Sequence, residues 1–207
     1  MLINNNPVQL SEDMLYGKGY HKKCYLHPEY ANLCIKIAYN EDGIDDLNRE
    51  INYWKILNKR NKNYKILPKY YGKIITNKGE GYLFELIKNF DGTECKTLEE
   101  ALLDKDFLKA NYQNIITLLI FLKNELFNNE IITLDLFAHN VLLQKINKTE
   151  YTIRLVNDMG SAVFIPLEYY FHYFAKSKVK RIWTKFVKSL KRKYPSEFID
   201  DIVAQIK

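Results

Sequence analysis

Between Leu15 and Leu86 the hydrophobic residues come in short runs broken by turn formers, and beyond Gly92 they recur at helical spacing. The early runs are Cys24–Leu26, Leu33–Ala38, Tyr70–Ile75 and Tyr82–Leu86, which read as strands. Gly17, Gly19, Pro28, Gly43, Gly79 and Gly81 punctuate them and read as turns. One helix interrupts the series, because Leu47, Ile51, Trp54 and Leu57 share a face of the segment from Asp45 to Asn58. Downstream, Thr97-Leu-Glu-Glu100 has the pattern of a capped helix start, and a long apolar helix is expected over Tyr112–Phe127. Two short strands, Val141–Gln144 and Thr152–Val156, flank a turn near Asn147, and two or three helices are expected after Pro166. This order predicts an α+β fold of two lobes: a β-rich N-lobe with one helix (residues 1–88) and a shortened helical C-lobe (residues 89–207). A hinge is expected near Ile87–Gly92.

Composition narrows the class without naming the chemistry. A chain of 207 residues that is 47% hydrophobic can bury a core in one large domain or two small lobes, which excludes wholesale disorder. Cys24, Cys34 and Cys95 have neither CxxC nor Cys/His spacing, so no disulfide framework or structural zinc is expected. The first fifteen residues lack a basic segment followed by an apolar one, and no apolar run approaches the roughly 20 residues of a membrane span. A cytoplasmic location follows as an expectation. The net charge of +6 points to an anionic partner.

Phosphoryl transfer needs a cation for the phosphates, oxygen ligands for Mg²⁺ and a group that orients the attacking hydroxyl. Asp135-Leu-Phe-Ala-His-Asn140 precedes one predicted strand, and Asp158-Met-Gly160 follows the next. A hairpin of those strands would bring Asp135, Asn140 and Asp158 to one point. Asn140 and Asp158 are then the candidate Mg²⁺ ligands, and Asp135 the group that accepts or orients a hydroxyl proton. Upstream, Lys36 is the lone cation in an apolar strand and Glu50 lies on the helix that should cover it, which predicts an ion pair aimed at nucleotide phosphates. Gly17-Lys-Gly19 is a candidate phosphate-covering turn, although Lys22 or Lys23 stands where a third glycine is usual. Glu85 and Ile87 are candidate nucleotide contacts at the hinge.

On Leu15-Tyr-Gly-Lys-Gly19, Cys34-Ile-Lys36, Arg49-Glu50, Leu134-Asp-Leu136, His139-Asn140 and Asn157-Asp-Met-Gly160, the chain resembles the YrbL family of bacterial PhoP-regulatory-network proteins over roughly residues 10–175. That family's fold is similar to protein kinases. The resemblance implies ATP and Mg²⁺ as cofactors, a site between the lobes, and catalytic roles for Lys36, Asp135 and Asp158. Departures from the kinase pattern are informative. Thr133-Leu134 replaces the usual His-Arg before Asp135, Phe137 stands where protein kinases place a lysine, and only 47 residues follow Gly160. The expected function is an ATP-dependent phosphotransferase acting on a hydroxyl of a small molecule, sugar or envelope glycolipid. An atypical bacterial protein kinase and a nucleotide-binding regulatory module without turnover are the alternatives.

The last motif is basic. Lys176–Lys193 holds nine Lys/Arg and no acid, with Val179, Ile182, Trp183, Phe186, Val187 and Leu190 on one helical face. Either that stripe packs while the charges are solvated, or the cationic face meets an anionic membrane surface or a phosphorylated glycan acceptor. Nucleic acid is not expected, since aromatic residues are not interleaved with the charges.

Overall fold

In β3 (Leu33–Ala38) five of six residues are buried, because both faces of this central strand are covered. Ile35 and Ile37 join Leu10, Tyr25, Leu33 and Leu83 in one core cluster, against which Val8, Met14, Leu15 and Ile74 also pack. Cys34 and Lys36 turn to the opposite face, where Trp54 of α1 (Glu41–Lys59) meets the Phe84 ring at 6.5 Å. The structure is a computed structural model that describes residues 6–60, 62–163 and 165–207, so the reading of residues 1–5 as part of a non-signal segment lies outside the described residues. Two compact units divide the chain: residues up to Trp54 with Pro68–Ile87, and Lys55–Leu67 with Lys88–Lys207.

The first unit carries an antiparallel sheet in the order β1-β2-β3-β5-β4, with β1 at Leu15–Lys18, β2 at Lys22–Leu26, β4 at Tyr70–Thr76 and β5 at Gly79–Glu85. Of the glycines expected in turns, Gly17 lies in β1, Gly79 opens β5, and Gly43 and Gly81 are held inside elements by close packing. Gly43 is inside α1, where a Cβ would stand 2.1 Å from the His21 carbonyl oxygen, so its absence lets the helix close onto the β1–β2 hairpin. Gly81 is within β5, and a Cβ there would stand 2.6 Å from Ile35 Cγ2. Close packing, invisible to local pattern, demands both.

The second unit combines a small sheet, β6 (Lys96–Thr97), β7 (Val141–Lys145) and β8 (Tyr151–Leu155), with four helices: α2 (Leu98–Leu103), α3 (Lys105–Asn128), α4 (His172–Lys193) and α5 (Glu197–Ile206). Thr97 and Glu100 form the reciprocal capping box at the start of α2, a device worth about 1 kcal/mol. Asp104 ends α2 and caps α3, its carboxylate accepting from Phe107 N at 3.0 Å. The cap explains why α3 starts seven residues before the apolar stretch that predicted it. The stripe of α4 is buried as its spacing required, and Trp183 Nε1 donates to the Ile206 carbonyl at 3.0 Å, tying α4 to α5. Among the described residues no helix is long and apolar enough to cross a membrane. The architecture is thus α+β, with a β-rich amino-terminal sheet and a helical carboxy-terminal part.

Candidate functional site

Antiparallel register puts Lys36 opposite Cys24 of β2 and Tyr82 of β5, on the sheet face that α1 covers. Glu50 lies on the buried stripe of α1, three residues after Leu47 and four before Trp54. The two meet with Lys36 Nζ 2.8 Å from Glu50 Oε1, and both are buried. Lys22, which no motif singled out as a partner, reaches Glu50 Oε2 at 3.5 Å. Burial alone would push the Lys36 ammonium down, yet the Glu50 carboxylate outweighs it and holds the group above the ordinary lysine value. For Glu50 burial pushes up, and Lys36 with Lys22 overcome this to hold it below the ordinary glutamate value. Two ammoniums sharing one carboxylate leave a net charge of +1 on this face, and the Phe84 ring, 4.5 Å from Lys36 Nζ, adds a cation–π contact.

The glycine turn forms the β1–β2 hairpin beside this cluster. Gly17 pairs with Cys24, Gly19 N donates to the Lys22 carbonyl at 2.9 Å, and the Tyr39 hydroxyl donates to the Gly19 carbonyl at 2.7 Å. A Cβ at Gly17 would meet no heavy atom within 4 Å, and its backbone is not left-handed. Neither crowding nor strain within the unit requires glycine there. Glu85 Oε2 accepts from the backbone N–H of Lys69 at 3.0 Å, and Ile87 is buried.

In the second unit the segment before β7 and the segment after β8 are stitched together. Leu134 N donates to the Asp158 carbonyl at 2.7 Å, and Gly160 N to the Ile132 carbonyl at 2.9 Å. The buried Thr133 hydroxyl lies 2.9 and 2.8 Å from the carbonyls of Asp135 and Asp158. Asn140 Nδ2 then donates to Asp158 Oδ2 at 2.7 Å, and Asn157 Nδ2 approaches Asn140 Oδ1 at 3.4 Å. Asn157 and Asp158 hold left-handed backbone (φ 65° and 53°), a conformation that Asn and Asp tolerate better than other residues with a Cβ and that recurs at functional sites. Beyond the triplet, the Ser161 hydroxyl donates to Glu168 Oε1 at 2.6 Å and Lys178 Nζ lies 3.3 Å from the same oxygen, so the chain leaving Gly160 is tied to α4.

Asp135 has a partner that sequence reasoning missed. Lys185 Nζ of α4 contacts its Oδ1 at 2.5 Å, although 50 residues separate them. His139 stacks on Phe137 at 5.3 Å and faces Glu99 at 3.9 Å. The basic helix was the available signal for Lys185, since its spacing fixed which residues pack and left the destination of each cation open.

These features define a class: a two-unit α+β protein with a cationic cluster on a sheet face and a separately pinned acidic cluster at a strand junction. The family profile described as PhoP regulatory network protein YrbL matches residues 8–191, and the chain belongs to that family. The YrbL proteins of Escherichia coli (strain K12) and Shigella flexneri are each 34% identical to it over 182 residues, which is 87% of this chain and 86% of theirs.

Proposed function

We propose that this chain is an ATP-dependent phosphotransferase organised in the manner of protein kinases, acting on the hydroxyl of a small molecule or glycan. The observation that carries the reading is the buried Lys36–Glu50 pair, joined by Lys22. Such a pair contributes little to stability compared with an apolar replacement, and its excess positive charge suits a polyphosphate. Gly17, free of any local need for glycine, leaves the hairpin backbone open to a phosphate.

Asn140 and Asp158 supply the oxygen donors for Mg²⁺. An amide oxygen and a carboxylate are the right hard ligands, and two protein donors suit an ion that keeps waters and phosphate oxygens as its other ligands. Bound there, the metal would neutralise charge on the transferring phosphates. Asp135 accepts the acceptor's hydroxyl proton as the hydroxyl oxygen bonds to the γ-phosphorus and the β,γ-bridging P–O bond breaks, releasing ADP. Thr133 fixes the backbone on either side of that step through the carbonyls of Asp135 and Asp158. ATP as donor fits the cytoplasm.

A second reading is favoured by the Lys185–Asp135 contact, which engages the very carboxylate that turnover needs. In that reading the chain holds nucleotide without transferring its phosphate. ATP turnover measured on the parent and on Asp135→Asn separates the two. A rate above background that falls at least about a hundredfold in the variant supports transfer, and equal rates support the regulatory module.

A further inference from the structure

Beside Asp135 the face of α4 forms a cavity of about 280 Å³ with Phe137 and the cations Lys185, Lys188, Arg192 and Lys193 on its walls. Lys185, Lys188 and Arg192 recur at i, i+3 and i+7, so one helical face presents all three. Helix-dipole complementarity accounts for cations in the last turn, but Lys185 and Lys188 lie before it. Two cations of the helix outside the cavity are matched by acids, Lys178 by Glu168 and Lys191 by Asp200, and within it Lys185 is matched by Asp135. Among the described residues, Asp135 is the one carboxylate on the cavity wall, against four cations. Sites for small molecules start near about 300 Å³, so the space suits a monosaccharide-sized ligand and is too small for a folded peptide segment.

We propose that this cavity is the acceptor site and binds a phosphomonoester of a polyol, with Lys188, Arg192 and Lys193 on the existing phosphate and a free hydroxyl presented to Asp135. The assignment of Asp135 rests on the phosphotransferase reading above, whereas the anion site itself does not. Lys185 couples the two parts. With no acceptor it neutralises Asp135, and an arriving phosphate competes for its ammonium and leaves the carboxylate able to take the hydroxyl proton. The new P–O bond then forms on that hydroxyl, the bond to ADP breaks, and the proton passes to Asp135.

The test is calorimetric titration of the full chain without nucleotide, using glucose 6-phosphate and glucose as the soluble arm. Phosphatidylcholine vesicles with and without phosphatidylinositol 4-phosphate form the lipid arm. Saturable binding in the phosphorylated member of either arm, and not in its unphosphorylated control, is expected and identifies the source. Lys188→Glu with Arg192→Glu should weaken that binding at least about tenfold, while Lys176→Glu with Lys180→Glu, the same charge change off the cavity, should change it less than about threefold. Asp135→Asn should tighten it by roughly threefold to tenfold, because Lys185 is released to the anion. Absence of saturable binding in both arms, equal loss in the two double variants, or no tightening by Asp135→Asn overturns the proposal. A parallel Mg-ATP titration keeps the failures apart: lost phosphomonoester binding with intact Mg-ATP binding removes the acceptor site and leaves the donor reading, and the reverse removes the donor reading with the role of Asp135 and leaves the anion site.

Discussion

Substituting Glu50 by Gln keeps the side chain's shape and removes its charge, leaving the Lys36 ammonium buried without a counterion. At 2.8 and 3.5 Å the attractions of Lys36 and Lys22 to Glu50 are about 6 and about 5 kcal/mol for an effective dielectric of ~20, before desolvation is subtracted. Breaking a buried pair from one side costs about 3–5 kcal/mol net, the range expected for Glu50→Gln. Lys36→Met should cost less, roughly 2 kcal/mol, because Glu50 keeps Lys22 and the thioether fills the space of the lysine stem. Lys36→Met combined with Glu50→Leu should return to within about 1 kcal/mol of the parent, since removing both charges leaves no uncompensated one. Urea titration followed by ¹⁹F NMR of 5-fluorotryptophan reads each unit separately, because Trp54 lies in the first unit and Trp183 in the second. The loss should be in the Trp54 transition. A Glu50→Gln loss below about 1 kcal/mol would refute the electrostatic reasoning, because the pair would then be solvated in effect.

Three further outcomes follow from the same geometry. Glu50 is held below its ordinary value and Lys36 above its own. Their contribution is therefore full between the unfolded-state values, about 4.3 and 10.4, and fades as pH falls through the folded Glu50 value or rises through the folded Lys36 value; urea midpoints against pH should show this plateau, with the acid limb flattened in Glu50→Gln. Gly17→Ala should leave the urea midpoint unchanged or slightly higher yet weaken Mg-ATP binding, whereas Gly43→Ala should destabilise by at least about 1 kcal/mol as the new methyl meets the His21 carbonyl. Asp158→Asn should reduce Mg-ATP affinity and Asp135→Asn should leave it within about threefold, a split that titration calorimetry reads directly.

Patterns that are local in the chain carried most of the architecture. Short apolar runs between turn formers marked the strands around Lys36, and helical spacing marked both α1 and the buried stripe of α4, because each helix must hide one face. The Lys36–Glu50 pair was legible for the same reason: a strand cation and a helix anion, 14 residues apart, both stood on faces that the apolar neighbours fixed. Contacts set by tertiary packing were not legible. Gly43 looked like a turn because its role is to let a helix approach a hairpin carbonyl, and that approach leaves no mark at neighbouring positions. Lys22 and Lys185 lay among many lysines, and only the register of β2 and the rotation of α4 single them out. The bond from the backbone N–H of Lys69 to the Glu85 carboxylate likewise left no mark in the local pattern.

Mg-ATP binding is the most direct measurement. Calorimetric titration of the full chain with ATP, with and without Mg²⁺, should show a saturable, Mg²⁺-dependent site. A ligand at a hundred times its Kd stabilises the fold by about 2.7 kcal/mol, so melting should shift upward by several degrees in the parent and much less in Lys36→Met and Asp158→Asn. No heat and no shift with any Mg-nucleotide at millimolar concentration would contradict the phosphotransferase reading at its root.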